Sequence, residues 1–403
     1  MDTLDMRMQC VLESEAEVRS AAFRAKRPRF ETLRARVGAQ DTGGTAEGVR
    51  RLRLFWDNIK AIEASYFTLS KQQRHIIEEF VRSCVIKIVG QDNFERNPPF
   101  FMRETGKSTQ ECLSIVITPR RFGKTTATAI FVAAVLLTVP QVVVAIFSTG
   151  RRASAMLLAK IHQITNGVPG DKRILACNQE TLKVRGEGIS DIRTCHSYPS
   201  NLATLKGVGC DIGIMEEFTR CDPAVWQEVV VPLLGVNGTA IVAISTPLGE
   251  DNWYTGLIQK KTEDGERLFN VVQYSLVCDE CRKKDLATEC QHKIELLPPW
   301  KSESRQRLVK FLLSDSSDLY LTEAMGEISS SKSRCFSEEM VDAWILRPLR
   351  GSSAPGSQAT IYVAVDPTSG IRSELAVVSM YFDSSHRLVV RYPTRTCPSC
   401  LRG

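Results

Sequence analysis

The stretch SIVITPRRFGKTTATAIFVAAVLL, residues 114–137, combines an apolar run of β-forming residues, a short turn and a helical apolar pattern. The turn ends in Gly123, Lys124 and Thr125. This order brings together backbone N–H groups, an ammonium group and a hydroxyl group, which a phosphate-binding loop needs to hold a nucleotide and its Mg²⁺ ion. The stretch therefore predicts a strand–loop–helix unit that binds a nucleoside triphosphate.

The loop departs from the usual pattern at two places. Thr118 stands where the first glycine is usual, and Arg120 and Arg121 occupy the turn. Their charge lies where the terminal phosphate is expected, so one of them is predicted to act as an arginine finger within its own chain. The alternative is an exposed pair that contacts DNA or a neighbouring subunit. The other residues predicted to surround the phosphates are Thr118, Pro119, Phe122 and Gly123.

The composition is that of an ordinary soluble globular protein, with 43% apolar and 24% charged residues among 403. Such a length can bury a large core and predicts two domains. The net charge of +6 fits a polyanionic partner, although many soluble enzymes are as basic. No apolar run reaches the roughly 20 residues of a membrane-spanning helix, and no secretion signal is expected. Thirteen scattered cysteines indicate a reducing compartment.

Composition changes along the chain predict four segments. Residues 1–50 are expected to form a flexible basic arm, whose KRPRF sequence at 26–30 is either a nuclear-import or nucleic-acid patch or a solvated charge cluster. Residues 51–349 alternate helical and strand patterns. Residues 350–360 are rich in Gly, Ser and Pro and predict a linker. Residues 361–403 begin a second domain that is not completed.

The alternation in the large segment predicts an α/β fold with a mostly parallel sheet covered by helices on both faces. Together with the phosphate loop, this is a P-loop fold of the RecA/ASCE-like type. Helical spacing extends from Arg50 to about Ile88, and another helix is predicted to begin near Arg151. Besides the strand of the phosphate-loop unit, strands are predicted at 142–147, 182–185, 192–195, 211–215 and 240–245.

Two acidic residues follow one of these strands. In CDIGIMEEF the apolar run 211–215 ends in Glu216 and Glu217. ATP hydrolysis requires one carboxylate for Mg²⁺ and another to position the attacking water, and an adjacent strand is expected to carry them. Glu216 is predicted at the metal position with Thr125, where Asp is more usual, and Glu217 is predicted to be the catalytic base.

A second strand end carries hydroxyl groups. The sequence AISTPLG places Ser245 and Thr246 after the apolar run 240–244. Hydroxyls at the carboxyl end of a parallel strand can bond the water near the terminal phosphate and the neighbouring backbone, and so report the nucleotide state. These two residues are predicted to couple hydrolysis to movement.

Taken together, TPRRFGKT, FSTGRR, LKGVGCDIGIMEEF and AISTPLG resemble the ATPase motor of viral large terminase subunits, the DNA-packaging enzymes of tailed phages and herpesviruses. The resemblance spans roughly residues 60–385. It implies a ring of identical subunits that hydrolyses ATP with Mg²⁺, grips double-stranded DNA and acts with a capsid portal and a small terminase subunit. It also implies that Gln72 or Gln73 recognises adenine, whereas the alternative is a polar pair on a helix surface.

A Cys-rich segment follows the motor motifs. In LVCDECRKKDLATECQHK the ligand-type residues are spaced C-x2-C-x8-C-x-H. Two close pairs of soft ligands can complete a tetrahedral Zn²⁺ site, and the alternative is a group of free thiols. Such a segment is similar to herpesvirus terminases, which implies action in a host nucleus. The four residues are Cys278, Cys281, Cys290 and His292.

The last strand pattern, YVAVDPTSG, resembles the first strand of the terminase nuclease domain, an RNase H-like fold. The resemblance implies that Asp366 is one of several carboxylates that hold two metal ions for DNA cleavage. A single carboxylate cannot build that site. The nuclease domain is therefore expected to be incomplete, and cleavage by this chain alone is not expected.

Two other functions remain open at this stage. A helicase-type ATPase shares the loop, the acidic pair and the hydroxyl motif, but needs a second RecA-like domain, whose arginine signature is not visible after residue 250. A non-enzymatic assembly or regulatory protein that binds nucleotide without turnover is suggested by Glu216 and by the incomplete nuclease domain. ATP hydrolysis by the chain separates the last of these from the others.

Overall fold

A computed structural model shows two compact units, residues 1–332 and 333–403. The predicted patch at 26–30 and the predicted linker, apart from its last residue, lie outside the described part of the chain, so the segment boundaries stay predictions. The described residues are 43–66, 68–106, 112–169, 173–199, 205, 207–249, 252–261, 265, 268–328, 360–366, 376–382 and 388–391.

An eight-stranded sheet forms the centre of the first unit, in the order β3-β4-β5-β2-β6-β7-β1-β8. The six strands from β5 to β8 in this order run parallel, and β3 and β4 extend the sheet in antiparallel fashion. The mostly parallel P-loop sheet is thus confirmed. Its strands are β1 Leu113–Ile117, β2 Val143–Ser148, β3 Ile174–Cys177, β4 Thr181–Arg185, β5 Ile192–Pro199, β6 Ile212–Glu216, β7 Ala240–Ser245 and β8 Asn270–Gln273.

Helices cover both faces of this sheet because successive side chains of the central strands point to opposite sides. On one side Val116 and Val242 pack with the long helices near the N-terminus. On the other side Ile117 and Ala243 pack with residues 218–233 and with later helices. Strands buried on both faces are read from the sequence as continuous apolar runs, which is why β1, β6 and β7 were predictable.

The longest helix begins at Gly43, which corrects the prediction that the flexible arm extends to residue 50. No described helix is long and apolar enough to cross a membrane. The α-helices are α1 Gly43–Ser65, α2 Lys71–Val89, α3 Gln91–Arg96, α4 Pro98–Glu104, α5 Lys124–Thr138, α6 Arg151–Gly167, α7 Pro223–Val225, α8 Val231–Leu233, α9 Trp253–Gln259, α10 Asp279–Lys283, α11 Glu303–Leu312 and α12 Ser317–Leu319. Two π-helical segments are Trp226–Val230 and Tyr320–Met325.

The strands that carry the phosphate loop and the acidic pair are not neighbours, which corrects the sequence prediction. Strand β7 lies between β1 and β6, pairing with both. The carboxyl ends of all three strands nevertheless meet at one edge, because Ile117 is in register with Ser245 and Glu216 is in register with Ile244. Spacing along the chain does not distinguish a neighbouring strand from the next one across the sheet.

The second unit contains three described strands, which form an antiparallel sheet in the order β11-β10-β9. They are β9 Tyr362–Asp366, β10 Ala376–Phe382 and β11 Leu388–Arg391. The sequence predicted the first two. Asp366 ends β9 in register with Ala376.

Candidate nucleotide site

The phosphate loop connects β1 to α5 with a tight turn. Gly123 has φ of +92°, and a Cβ built there would lie 2.8 Å from Gln73 Nε2 and 2.9 Å from a ring carbon of Trp300. Glycine is therefore required by conformation and by space. Arg121 also has a positive φ, +61°, which is a strained conformation of the kind that accumulates at functional sites.

Thr118 is fully buried, and its bonds explain the missing glycine. Its N–H donates to the Ser245 carbonyl oxygen at 3.1 Å, and its hydroxyl donates to the Pro119 carbonyl oxygen at 3.0 Å. Thr118 is not among the residues with positive φ. A side chain is tolerated here because the backbone conformation does not need glycine.

Lys124 and Thr125 begin α5 and face the acidic pair. Thr125 Oγ1 donates to Glu216 Oε1 at 3.4 Å, and Lys124 Nζ lies 3.9 Å from Glu217 Oε1. Lys124 is buried, which lowers the pKa of its ammonium group. The four predicted side chains therefore converge at one edge of the sheet.

Glu216 has the features of a metal ligand. It is 7% exposed, and its Oε2 atom is buried without a hydrogen-bond partner among the described residues. Burial, followed by repulsion from Glu217, raises the pKa of Glu216 to about 7. A buried carboxylate with a free oxygen beside a hydroxyl group suits Mg²⁺, which prefers oxygen ligands. The residues present fit the ion that the fold implies.

Ser245 and Thr246 follow the middle strand and bond to a residue that sequence reasoning missed. Ser245 Oγ accepts the backbone N–H of Thr219 at 3.1 Å and lies 2.7 Å from its hydroxyl oxygen. The Thr219 hydroxyl also donates to the Thr246 carbonyl oxygen at 3.1 Å. The end of β7 is thereby tied to the segment that follows Glu217. Thr219 has no signal of its own in the sequence.

Gln72 and Gln73 are both buried, so the alternative of a polar pair on a helix surface is wrong. Gln73 caps α2 by accepting the Ser70 N–H at 3.1 Å, and its Nε2 donates to the Gly123 carbonyl oxygen at 3.4 Å. Gln72 Nε2 donates to the Leu296 carbonyl oxygen at 2.9 Å. Gln73 therefore contacts the phosphate loop directly, whereas adenine recognition stays a prediction.

The two arginines of the loop point into different surroundings. The Arg120 side chain is largely exposed and lies 3.5 Å from Glu323 Oε2. The Arg121 carbonyl oxygen accepts the indole N–H of Trp300 at 2.9 Å. Next to it, burial and the positive charge of Lys124 lower the pKa of Lys301 to about 8. No predicted motif included Trp300, Lys301 or Glu323, because each is remote in sequence from the loop.

The Cys/His segment forms a compact group of four potential ligands. All ligand atoms lie within 4.8 Å of one another. The His292 Nδ1 atom is 3.3 Å from the sulfurs of Cys278 and Cys281 and 3.7 Å from that of Cys290. Tetrahedral Zn²⁺ with thiolate and imidazole ligands requires S···N separations of roughly 3.5 Å. Backbone N–H groups also donate to two of the sulfurs, as in a thiolate site. The residues fit zinc.

A mostly parallel sheet with a phosphate loop at its carboxyl edge and an acidic pair opposite it defines a P-loop nucleotide-binding protein. Residues 115–341 match the family model described as terminase large subunit, T4likevirus-type, N-terminal. This match covers more than half of the chain, and the chain belongs to that terminase family. No curated protein sequence matches the chain.

Among solved structures, the large terminase of bacteriophage HK97 is similar over 80% of this chain and 67% of its own, at 16% identity and a TM-score of 0.51. At that identity the likeness shows a shared fold. The large terminase of a thermophilic bacteriophage, solved in complex with ADP, covers 80% of this chain and 69% of its own, at 10% identity and a TM-score of 0.43.

The named relatives correct one prediction. They are bacteriophage terminases, which act in bacterial hosts, so the predicted location in a host nucleus is wrong. The same matches give no support to a herpesvirus-type specificity. The Cys/His segment alone had suggested both, and a metal-binding segment does not identify a host.

Proposed function

We propose that this chain is the ATP-hydrolysing motor subunit of a terminase and moves double-stranded DNA into a preformed capsid. The observation that carries the proposal is the convergence of Lys124 and Thr125 with Glu216 and Glu217 at one edge of the sheet. Membership of the terminase large subunit family supports the DNA-packaging context.

Each of the four side chains has a separate role in this proposal. Lys124 binds the β- and γ-phosphates, for which its buried ammonium group has no other strong anion than Glu217 nearby. Thr125 and Glu216 hold Mg²⁺, which neutralises charge on the phosphate oxygens when it is bound. Glu217 orients the attacking water and accepts its proton. Its positive φ of +52° turns it away from the line of β6 toward Lys124.

The remaining roles concern charge and movement. Arg120 or Arg121 stabilises the charge that develops on the terminal phosphate. The hydroxyl pair of Ser245 and Thr219 transmits the change, because it links the middle strand to the segment after Glu217. A ring of identical subunits, each gripping the DNA backbone by positive charge, would convert these changes into translocation with a portal and a small subunit as partners.

Glu217→Gln tests the proposed activity. It keeps the shape of the side chain and removes the group that accepts the proton, so we expect DNA-stimulated phosphate release to fall by at least about a hundredfold. Nucleotide affinity should change little. The matched control is Glu228→Gln, which removes an exposed carboxylate from the same part of the chain. Equal, negligible release by wild type and Glu217→Gln would favour a non-enzymatic assembly protein.

We also propose that the Cys/His group binds one structural Zn²⁺ ion. The separations within the group support this, and Cys281 and Cys290 lie in the same buried cluster as Phe122 of the phosphate loop. The ion would pin a segment whose described elements are short, α10 and two single-turn helices. The region beyond it, including Asp366, is proposed as an incomplete nuclease domain.

Metal analysis of the purified chain tests the zinc site. We expect about one equivalent of zinc, lost in Cys278→Ser, together with a lower melting temperature, because metal binding contributes to folding free energy. Cys177→Ser is the control, since Cys177 is an exposed free thiol outside the group. Wild-type protein that is free of metal and melts at the same temperature as Cys278→Ser would contradict the site.

A further inference from the structure

The Glu323 side chain lies between the two loops that border the nucleotide site. It belongs to the π-helical segment Tyr320–Met325. Its Oε1 accepts a hydrogen bond from Arg220 Nη2 at 3.1 Å, and its Oε2 lies 3.5 Å from Arg120 Nη1. Arg220 in turn donates its backbone N–H to the Glu217 carbonyl oxygen at 2.9 Å. One carboxylate therefore joins the phosphate loop to the loop of the proposed catalytic base, an arrangement that we call the Glu323 bridge.

The backbone around Glu323 is fixed against the phosphate loop. The Arg120 N–H donates to the Glu323 carbonyl oxygen at 2.7 Å. Gly326, at φ of +77°, approaches so closely that a Cβ there would lie 2.4 Å from the Tyr274 carbonyl oxygen and 2.8 Å from a ring carbon of Pro119. Single π-helical segments are frequent at functional sites. The position of the carboxylate is thus set by its own backbone as well as by its ion pairs.

The surroundings of the bridge are strongly cationic. A cavity of about 420 Å³ beside the loop is lined by Arg120, Arg121, Lys301 and Arg305, and Glu323 is the only carboxylate among its described lining residues. Like charges held close together repel one another unless an anion compensates them. This composition suits the phosphates of a nucleotide, and Glu323 is the anion that the chain itself supplies.

We infer that Glu323 is a positioning residue, the internal counter-ion that holds Arg120 at the mouth of the site and releases it to the terminal phosphate of a bound triphosphate. The inference rests on the proposed ATP site. The Arg120 side chain is 69% exposed, so its ion pair is weak, whereas paired hydrogen bonds from Arg to phosphate oxygens are strong. Breaking the bridge subtracts from the affinity for a triphosphate. A diphosphate lacks the terminal phosphate and leaves the bridge in place.

Glu323→Gln separates this role from a structural one, because glutamine keeps the shape and the backbone contacts and removes the charge. We expect calorimetric titration with Mg²⁺ and ATPγS to give a Kd about three- to tenfold lower than wild type. The Kd for ADP should change by less than about twofold. Glu303→Gln is the matched control, since Glu303 pairs with the exposed Arg307 on α11. It should leave both constants unchanged.

Three outcomes decide the matter. Unchanged or weaker ATPγS binding by folded Glu323→Gln overturns the inference, as does an equal change for ATPγS and ADP. If that variant does not fold, Arg220→Gln replaces it: Arg120 is then the remaining described partner of Glu323, and ATPγS affinity must fall relative to ADP. No fall would equally overturn the inference. Wild-type chain that binds neither nucleotide would refute the proposed function itself, whereas an unaltered Kd ratio in a binding-competent variant refutes only the bridge.

Discussion

At the scale of single residues, Thr118 explains how the phosphate loop keeps its geometry without its first glycine. The hydroxyl bonds to the next carbonyl group and the N–H bonds to β7, so neither competes for the phosphates. The positions that do require unusual backbone are Arg121 and Gly123, both with positive φ. The departure from the usual motif is therefore confined to a position where a side chain fits.

Lys124→Ala is the residue-scale prediction. Loss of a charge-assisted contact to the phosphates should weaken binding of ATPγS by about ten- to a hundredfold and abolish phosphate release. Lys60→Ala is the control, because Lys60 is an exposed lysine on α1 whose partner is Asp57. Calorimetric titration gives the affinities, and undiminished hydrolysis by Lys124→Ala would refute the phosphate-loop assignment.

At the scale of elements, a buried carboxylate fastens α2 to the edge strand β8. Glu79 Oε2 accepts from Asn270 Nδ2 at 2.6 Å, and Glu79 also pairs with Arg82 and lies 3.2 Å from His75 Nε2. Burial alone would raise the pKa of Glu79, but the hydrogen bond from His75 and the charge of Arg82 outweigh it and lower the pKa to about 2. The charged form is thus favoured by folding.

This shift has a defined sign. A carboxyl pKa of about 2 in the folded chain, against 4.5 as the ordinary value, stabilises the fold above pH 4.5, and the contribution is lost as pH falls toward 2. We expect Glu79→Gln to lower the free energy of unfolding at pH 7 by about 2–3 kcal/mol and to flatten its decline over that acid range. Denaturant titrations at several pH values measure this. Exposed Glu95→Gln is the control, and parallel pH curves for wild type and Glu79→Gln would contradict the account.

The elements also show what the sequence could predict. Strands β1, β2, β6 and β7 are continuous apolar runs, and their bounds were predicted to within one or two residues. The four-residue strands β3 and β8 were missed, because neither is fully buried and short half-exposed strands leave no clear pattern. The order of the strands was also out of reach, since pairing across a sheet depends on packing of the whole unit.

The same limit applies to the site. Lys124, Thr125, Glu216 and Glu217 were predicted because their roles fix both residue type and distance from a strand end. Thr219, Trp300 and Glu323 reach the site through tertiary packing, and nothing in their local sequence marks them. The spacing of Cys278, Cys281, Cys290 and His292 predicted the cluster, because metal coordination restricts ligand types and separations.

At the scale of the whole molecule, the first unit contains the proposed motor and the second contains the three strands β9–β11. The family match covers residues 115–341 and places the chain among terminase large subunits of the T4likevirus type. Motor function then requires that the nucleotide site and the hydroxyl pair at β7 respond to the same ligand. All of these roles depend on where the triphosphate binds.

The most direct measurement is an experimental structure of the chain with Mg²⁺ and ATPγS. The account predicts that the phosphates lie on the backbone N–H groups of residues 120–125, that Lys124 Nζ contacts them, and that the metal lies beside Thr125 Oγ1 on the side of Glu216. Glu217 should face the terminal phosphate. A nucleotide bound elsewhere on the chain, with this loop and the acidic pair unoccupied, would contradict the central claim.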